Sequence, residues 1–341
     1  MAVTIREVAV AAGVSTAAVS KVLHGRGDSV RVGEDRAKHI RDVAKQLAYV
    51  PNALARSLRS SRTQTIGLLF EHFGHFASGP EYYPELLDGL ASTIFPRHYR
   101  LALLPEVDHD DISGSLADGR LDGVIWGKLT PDDESRMLVR NCPIPIVAIN
   151  AWAPSVRTKT VHVNCDNAQG MRLGLDHLLS LGHKRILFLR EDGELNTPDC
   201  NARLSAFQSH LADRGITVKP DDIATWSWEL TQFSAWWAAK PSHTAIFCWS
   251  ERAAGELLKR TAECNVSVPE QLSVIGFDST RYCDFTRPRL TAVSQPVRQM
   301  AETAGTLLLD MIEGNHPDQS LTTFPCGLDI RESTARPCPH S

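Results

Sequence analysis

Long apolar runs are missing from this chain of 341 residues, and no stretch approaches the roughly 18 apolar residues that a membrane helix needs. The opening residues also lack the apolar core of a secretion signal, because Arg6 and Glu7 interrupt it. Both absences lead to the expectation of a cytoplasmic protein with no membrane partner, and they argue against a secreted solute-binding protein. Cys-x-x-Cys pairs are lacking too: Cys142, Cys165, Cys200, Cys248, Cys264, Cys283, Cys326 and Cys338 stand far apart in the sequence. In a reducing compartment, dispersed cysteines are small core or surface residues in preference to disulfides or zinc ligands. His72 and His75 have no third ligand type beside them, so a polar pocket wall is the better reading than a metal site. No Gly-x-Ser-x-Gly elbow, phosphate loop or His-Glu-x-x-His is present. An enzyme is therefore not expected, nor is a cofactor or a metal.

What the chain does have is an uneven distribution of charge. The first 62 residues carry eleven Lys and Arg against five Asp and Glu, and the rest carry 25 against 35. A head of about +6 on a body of about −10 is the pattern of a polyanion-binding module joined to one that does not bind polyanions. Within the head, Thr4 and Glu7 form a capping box, and Ile5, Val8 and Ala9 share one helical face. Gly13 suits a sharp turn, and Ser15 caps a second helix whose apolar face is Ala18, Val19, Val22 and Leu23. Thr16, Ala17, Ser20 and Lys21 are left on the outward face, where a helix-turn-helix meets base edges. A third helix is expected over 34–47, with Ile40, Val43 and Leu47 inward. The alanine-rich segment that follows is too short to be stable alone.

The run 4–66, with AGVS, AVSKVL, YVPNALARSLRS and TQTIGLLF, resembles the LacI/GalR family of transcription regulators (lactose- and galactose-repressor type). The resemblance continues more loosely to GFDSTRYCDFTRPRLTAVSQPV and RESTARP. It implies a helix-turn-helix domain over 1–50, a hinge helix and linker over 51–62, and a two-lobed effector-binding and dimerisation domain over 63–341. It also implies that Leu58 wedges into the minor groove when the hinge, with Ala55 and Arg59, folds on its operator; the alternative is that Leu58 packs on the head. Thr16, Ala17 and Lys21 would read bases, Ser15 and Asn52 would touch phosphate or hinge, and Thr4, His24 and Tyr49 would lie near the DNA backbone. Lysine at position 21 departs from the frequent arginine and lacks its planar fork, so readout leans more on hinge and DNA shape.

Beyond residue 64, strands are expected at 66–70, 100–104, 123–126, 146–149, 185–189, 245–248 and 272–276, with helices between them. The fold class is then an all-α helix-turn-helix head plus an α/β body of two parallel-sheet lobes, periplasmic-binding-protein-like. Ligands of open α/β sheets bind beyond the carboxyl ends of the strands. Glu71, His72, His75, Asn150, Asp166, Arg190, Ser250, Glu251 and Asp278 stand there, with Arg203 and Gln295 downstream. The effector set expected from these is His75, Asp166, Arg203, Ser250, Asp278 and Gln295. The resemblance matches Arg203 and Asp278 to residues that hold sugar hydroxyls; singly they also read as a surface salt bridge and a helix cap. A sugar-like polyol is the expected effector, with a phosphorylated sugar or a purine as alternatives. Trp226 and Trp228 are either stacking platforms or packing residues.

The resemblance also implies three crossings between the lobes, near 160–165, 288–295 and 320–325. A palindromic operator requires a two-fold dimer. A helix over 84–95 offers Leu86, Leu87 and Leu90 to lobe core and dimer contact alike. The last residues carry no leucine heptads, so a homodimer rather than a tetramer is expected. The expected partners are double-stranded operator DNA, a small-molecule effector and a second copy of the chain. A pure sugar-binding module and an enzyme are the competing classes.

Overall fold

The computed structural model describes residues 3–24, 31–50, 62–70, 82–104, 116, 118–127, 142–151, 160–192 and 197–338. The chain forms two compact units, Met1–Thr63 and Gln64–Ser341.

In the first unit, α1 (Ile5–Ala11), α2 (Thr16–His24) and α3 (Glu34–Gln46) enclose a small core. Val8, Ala9, Ala18, Val19, Ile40, Val43 and Ala44 are buried in it. The capping box at Thr4 is formed, with Glu7 N–H donating to Thr4 Oγ1 at 3.4 Å and Thr4 N–H to Glu7 Oε2 at 2.7 Å. Those hydrogen bonds hold the Glu7 carboxyl below the ordinary range. Gly13 takes φ +61, the left-handed conformation that turns the chain between α1 and α2.

The second unit holds two six-stranded sheets. The first contains β1 (Thr65–Phe70), β2 (Arg100–Leu104), β3 (Gly123–Gly127), β4 (Ile146–Ile149), β5 (Val161–Cys165) and β11 (Leu321–Phe324). Their order is β11-β5-β4-β3-β1-β2, parallel throughout. The second contains β6 (Ile186–Glu191), β7 (Ile223–Trp226), β8 (Ala245–Cys248), β9 (Ser273–Asp278), β10 (Thr291–Ser294) and β12 (Gly327–Asp329). Its order is β12-β10-β9-β8-β6-β7, with only the β10–β12 pair antiparallel. Strands β3, β4, β8 and β9 are buried along their whole length, which explains why each reads as a continuous apolar run. The edge strands β2 and β11 are partly exposed, and β11 follows no such run.

Helices α4 (Tyr82–Ile94), α5 (Asn167–Leu181), α6 (Pro198–Asp213), α7 (Leu230–Ala238), α8 (Glu251–Glu263), α9 (Tyr282–Phe285) and α10 (Val297–Ile312) complete the body. The chain passes from the first sheet to the second after β5, returns after β10, and passes again after β11. These crossings fall at the ends of the expected windows or just past them. Helix α10 follows β10 of the second sheet yet packs on β3, β4 and β5 of the first, against α4.

Two expectations need correction, the open alternative for Trp226 closes, and Leu47 packs on the head core as expected. Leu86 and Leu90 are fully buried, so they serve the core and present nothing to a partner; Leu87 is half-buried. Trp226 ends β7 and is buried, with Phe233, Trp236 and Trp228 around its ring at 5.8–6.3 Å, so it is a packing residue. Leu47 is half-buried and caps α3. Strands β5, β7, β10, β11 and β12 were not expected: most are short, and several lie at or beside a sheet edge, where apolar runs fade.

Gly89 marks a close approach of α4 to α10. A Cβ there would lie 2.5 Å from the Arg298 carbonyl oxygen and 2.7 Å from the Ala301 Cβ. Backbone cannot yield as a flexible side chain does, so Gly89→Ala should destabilise the body by about 1–3 kcal/mol. A lowered urea midpoint is the expected result; an unchanged one would mean that the helices separate freely.

Candidate functional site

In the first unit, Thr4, Ser15, Thr16 and Ala17 are exposed, while Ser20 and Lys21 are half-buried on the face of α2 opposite Ala18 and Val19. Ser15 Oγ accepts the Ala18 amide at 3.2 Å, which fixes the start of α2. Tyr49 is half-buried and packs its ring on the head core. The side chain of His24 and all of Asn52, Ala55, Leu58 and Arg59 lie outside the described residues. The outward face of α2 is thus built from short hydroxyl, methyl and amine groups on a helix held rigid from behind.

In the second unit, the polar residues at the strand ends join into one chain of hydrogen bonds. Asn150 follows β4 of the first sheet and takes φ +47; its Nδ2 donates to Tyr82 Oη at 2.8 Å and to Gln295 Oε1 at 2.9 Å. Its Oδ1 accepts the Cys165 amide at 3.3 Å. Gln295 lies on the crossing after β10 and donates Nε2 to Asp278 Oδ1 at 2.6 Å. Asp278 ends β9 of the second sheet, and the same oxygen lies 3.4 Å from Arg203 Nη2. The series Tyr82, Asn150, Gln295, Asp278, Arg203 therefore runs from one lobe to the other through a crossing.

Arg203 on α6 is 1% exposed. Its Nε donates to Asn167 Oδ1 at 2.8 Å and its Nη1 to the Trp249 carbonyl at 2.6 Å. Its guanidinium lies 3.6 Å from the centre of the Phe277 ring. Burial alone would lower its pKa, but the charges of Asp278 and Asp199 more than offset that and hold it above the ordinary arginine value. Asp199 is itself buried and accepts from Asn167 Nδ2 at 3.3 Å. Burial, reinforced by Asp199, pushes the Tyr82 phenol well up, so it stays a neutral donor and acceptor.

Asp278 and the next residue Ser279 both have positive φ, +100 and +54, an unusual pair for non-glycine residues. Glu251, fully buried at the start of α8, holds this turn. Its carboxylate accepts the Thr280 amide at 2.7 Å, the Thr280 hydroxyl at 2.5 Å and the Cys283 thiol at 3.1 Å. Burial and the nearby Asp278 charge push the Glu251 carboxyl up to about 8.

Two members of the expected effector set also have a local duty. Asp166 Oδ1 accepts the Gln169 amide at 2.9 Å and caps α5, and Ser250 Oγ accepts the Ala253 amide at 3.2 Å and caps α8. Both remain at strand ends. Arg203, Asp278 and Gln295 are brought together, while His75 lies outside the described residues, as do Glu71 and His72. Arg190 Nε, at the end of β6, has no hydrogen-bond partner among the described residues. Tyr82, Asn167 and Asp199 were missed by the sequence reading. Asp166-Asn167 directly after a strand was an available signal; Tyr82 on a helix gave none.

A helix-turn-helix head followed by two parallel sheets linked three times defines a DNA-binding regulatory protein with a periplasmic-binding-protein-like body. The family model for bacterial regulatory proteins of the lacI family matches residues 4–52, and that for the periplasmic binding protein-like domain matches residues 175–334. The HTH-type transcriptional repressor PurR of Photobacterium profundum is 30% identical over 340 residues, 97% of this chain and 98% of that protein. The HTH-type transcriptional repressor CytR of Escherichia coli is 29% identical, covering 98% of this chain and 96% of that protein. Among solved structures, the Lac repressor dimer bound to operator and the anti-inducer ONPF superposes with a TM-score of 0.83 at 21% identity, covering 98% of this chain and all of that one. The chain belongs to the lacI family of bacterial regulatory proteins, and it is a DNA-binding transcriptional regulator rather than an enzyme. Among the described residues, no helix is long and apolar enough to cross a membrane.

Proposed function

We propose that this chain is a ligand-responsive, sequence-specific repressor of carbohydrate-related genes, which binds a palindromic operator as a homodimer. Its effector is a sugar or sugar-like polyol held between the lobes of the body. The observation that carries this reading is the hydrogen-bonded series from Tyr82 to Arg203, because it ties residues of both lobes to a crossing. A ligand that enters must exchange these bonds for its own, and so must change how the lobes are held. Such a ligand shifts DNA affinity only by its differential affinity for the two lobe arrangements.

The chemistry favours hydroxyl groups. An ionised Asp278 accepts from a diol, and Arg203 has donors beyond the three it uses here. Asp199 and Asp278 already lie beside the one buried guanidinium, which disfavours a phosphorylated sugar. Structural neighbours include a CelR–cellobiose complex (TM-score 0.71, 24% identity) and an Enterococcus faecium regulator with bound ribose (TM-score 0.67, 24% identity). Neutral sugars are therefore the first probes. A selective thermal shift with one of them, lost in Asp278→Ala, supports the reading, and a response confined to sugar phosphates or purines would sink the polyol.

In the head, Thr16, Ala17, Ser20 and Lys21 are assigned to base edges, with Thr4, Ser15, His24 and Tyr49 along the DNA backbone. Residues 51–62, with Asn52, Ala55, Leu58 and Arg59, are assigned to a hinge that orders on DNA. Lys21→Ala should then weaken binding to a selected operator by about 1–3 kcal/mol, with little loss on random DNA. Equal loss on both, in a competition assay at fixed salt, would move Lys21 from base reading to phosphate contact.

A further inference from the structure

Eight cysteines are scattered along the chain, and all are free thiols, but the topology brings two of them together at the lobe crossings. Cys165 is the last residue of β5, at the first crossing, and Cys326 lies between β11 and β12, at the third. Strands β5 and β11 pair with Phe324 opposite Cys165, and the Asp166 amide donates to the Phe324 carbonyl at 2.8 Å. Cys326 Sγ donates to the Asp166 carbonyl at 3.4 Å, and Cys165 Sγ to Asn167 Oδ1 at 3.5 Å. Both sulfurs therefore sit against residues 165–167, where they interact with each other. The Cys326 amide is fixed by Gln169 Oε1 at 2.7 Å, so the third crossing is stitched to the helix that follows the first.

We propose that Cys165 and Cys326 are a redox modification site, a dithiol that a hydroperoxide converts into a disulfide clamping two of the three lobe crossings.

The thiols are chemically unequal. Contact with Cys165, aided by the Arg203 charge, holds the Cys326 thiol below the ordinary cysteine value. The same contact, with burial, pushes the Cys165 thiol well up. Burial pushes Cys142, Cys248 and Cys283 up as well. Cys326 is assigned as the nucleophile and Cys165 as the resolving thiol, an order that the serine variants below decide. The Cys326 thiolate attacks one oxygen of hydrogen peroxide; the O–O bond breaks, and the hydroxide released takes up a proton and leaves as water. Cys165 sulfur then attacks the resulting sulfenic sulfur and displaces hydroxide, which takes the Cys165 proton and leaves as a second water. Two electrons pass from the two sulfurs to the peroxide. At 4% and 7% exposure, the pair admits only a small oxidant. The bond would join the first and third crossings, two residues from Asn167, which holds Arg203.

The test uses the full-length protein with hydrogen peroxide, followed by alkylation, digestion and mass spectrometry. The expected product is a Cys165–Cys326 linked peptide, two hydrogens lighter than the sum of its parts and undone by dithiothreitol. Amide exchange at 165–169 and 324–327 should slow on oxidation and recover on reduction. Cys165→Ser should leave a dimedone-trappable sulfenic acid at Cys326, whereas Cys326→Ser should leave Cys165 unmodified. Links found only at Cys264 or Cys338, or Cys165 and Cys326 both still alkylatable after Cys338 has oxidised, would overturn the proposal. Unchanged exchange with the link present would remove the clamp. The wild-type mapping decides the chemistry even if a variant fails to fold.

Discussion

Arg203→Ala is expected to destabilise the body by about 3–5 kcal/mol, the cost of leaving a buried charge without its partner. The side chain is 1% exposed, so solvent does not screen it. Its removal strips a donor from Asn167 and from the Trp249 carbonyl, takes the counter-charge from Asp278, and empties the space over the Phe277 ring. Urea denaturation should show a lower midpoint with a similar slope. Arg203→Met, which refills the space without the charge, should recover part of the loss and so separate packing from electrostatics. Neither variant should show a thermal shift with the sugar that stabilises the wild type. If Arg203→Ala stays within about 0.5 kcal/mol of wild type, the guanidinium contributes nothing net. It would then be held in the cleft at no cost in stability, and only the binding assay could assign it a role.

The second large effect concerns His162, in the middle of β5 between Ala148 and Leu321. Its side chain is buried, and neither ring nitrogen has a hydrogen-bond partner among the described residues. Burial pushes its pKa down to about 4. Because the folded value lies below the unfolded one of about 6.5, the unfolded chain binds the proton first. The body should be fully stabilised at this group above about pH 6.5 and lose stability progressively as pH falls towards 4, by no more than about 3 kcal/mol. His177 and His183 are shifted the same way by burial and add to the loss in the same window. His162→Phe should flatten the dependence between pH 7.5 and 4.5 without abolishing it. Parallel curves for variant and wild type would show that the imidazole is hydrated in the folded state.

The helix-turn-helix was legible because its signals are local. Thr4 with Glu7, Gly13 and Ser15 act within four residues of themselves, and each takes the role its type dictates. The central strands were legible for a different reason: burial on both faces turns each into an apolar run. The edge strand β2 was legible from its leucines, but the strands at the crossings carry neither signal, and β10, β11 and β12 went unread. Leu86 and Leu90 show the limit of face counting, since an apolar residue at helical spacing does not say which neighbour it meets.

By itself the sequence determined a basic helical head, an acidic α/β body, the family resemblance and the candidacy of Asp278 at a strand end with Arg203 and Gln295 downstream. The tertiary structure decided which of these meet. Tyr82, Asn150, Gln295, Asp278 and Arg203 span more than 200 positions, and Cys165 and Cys326 are 161 apart. They are neighbours because the chain crosses between two sheets three times. Hydrophobic period and capping motifs report only on residues a turn or two away. Which distant side chains share a hydrogen bond is set by strand order and register, and so appears only once the sheets are assembled.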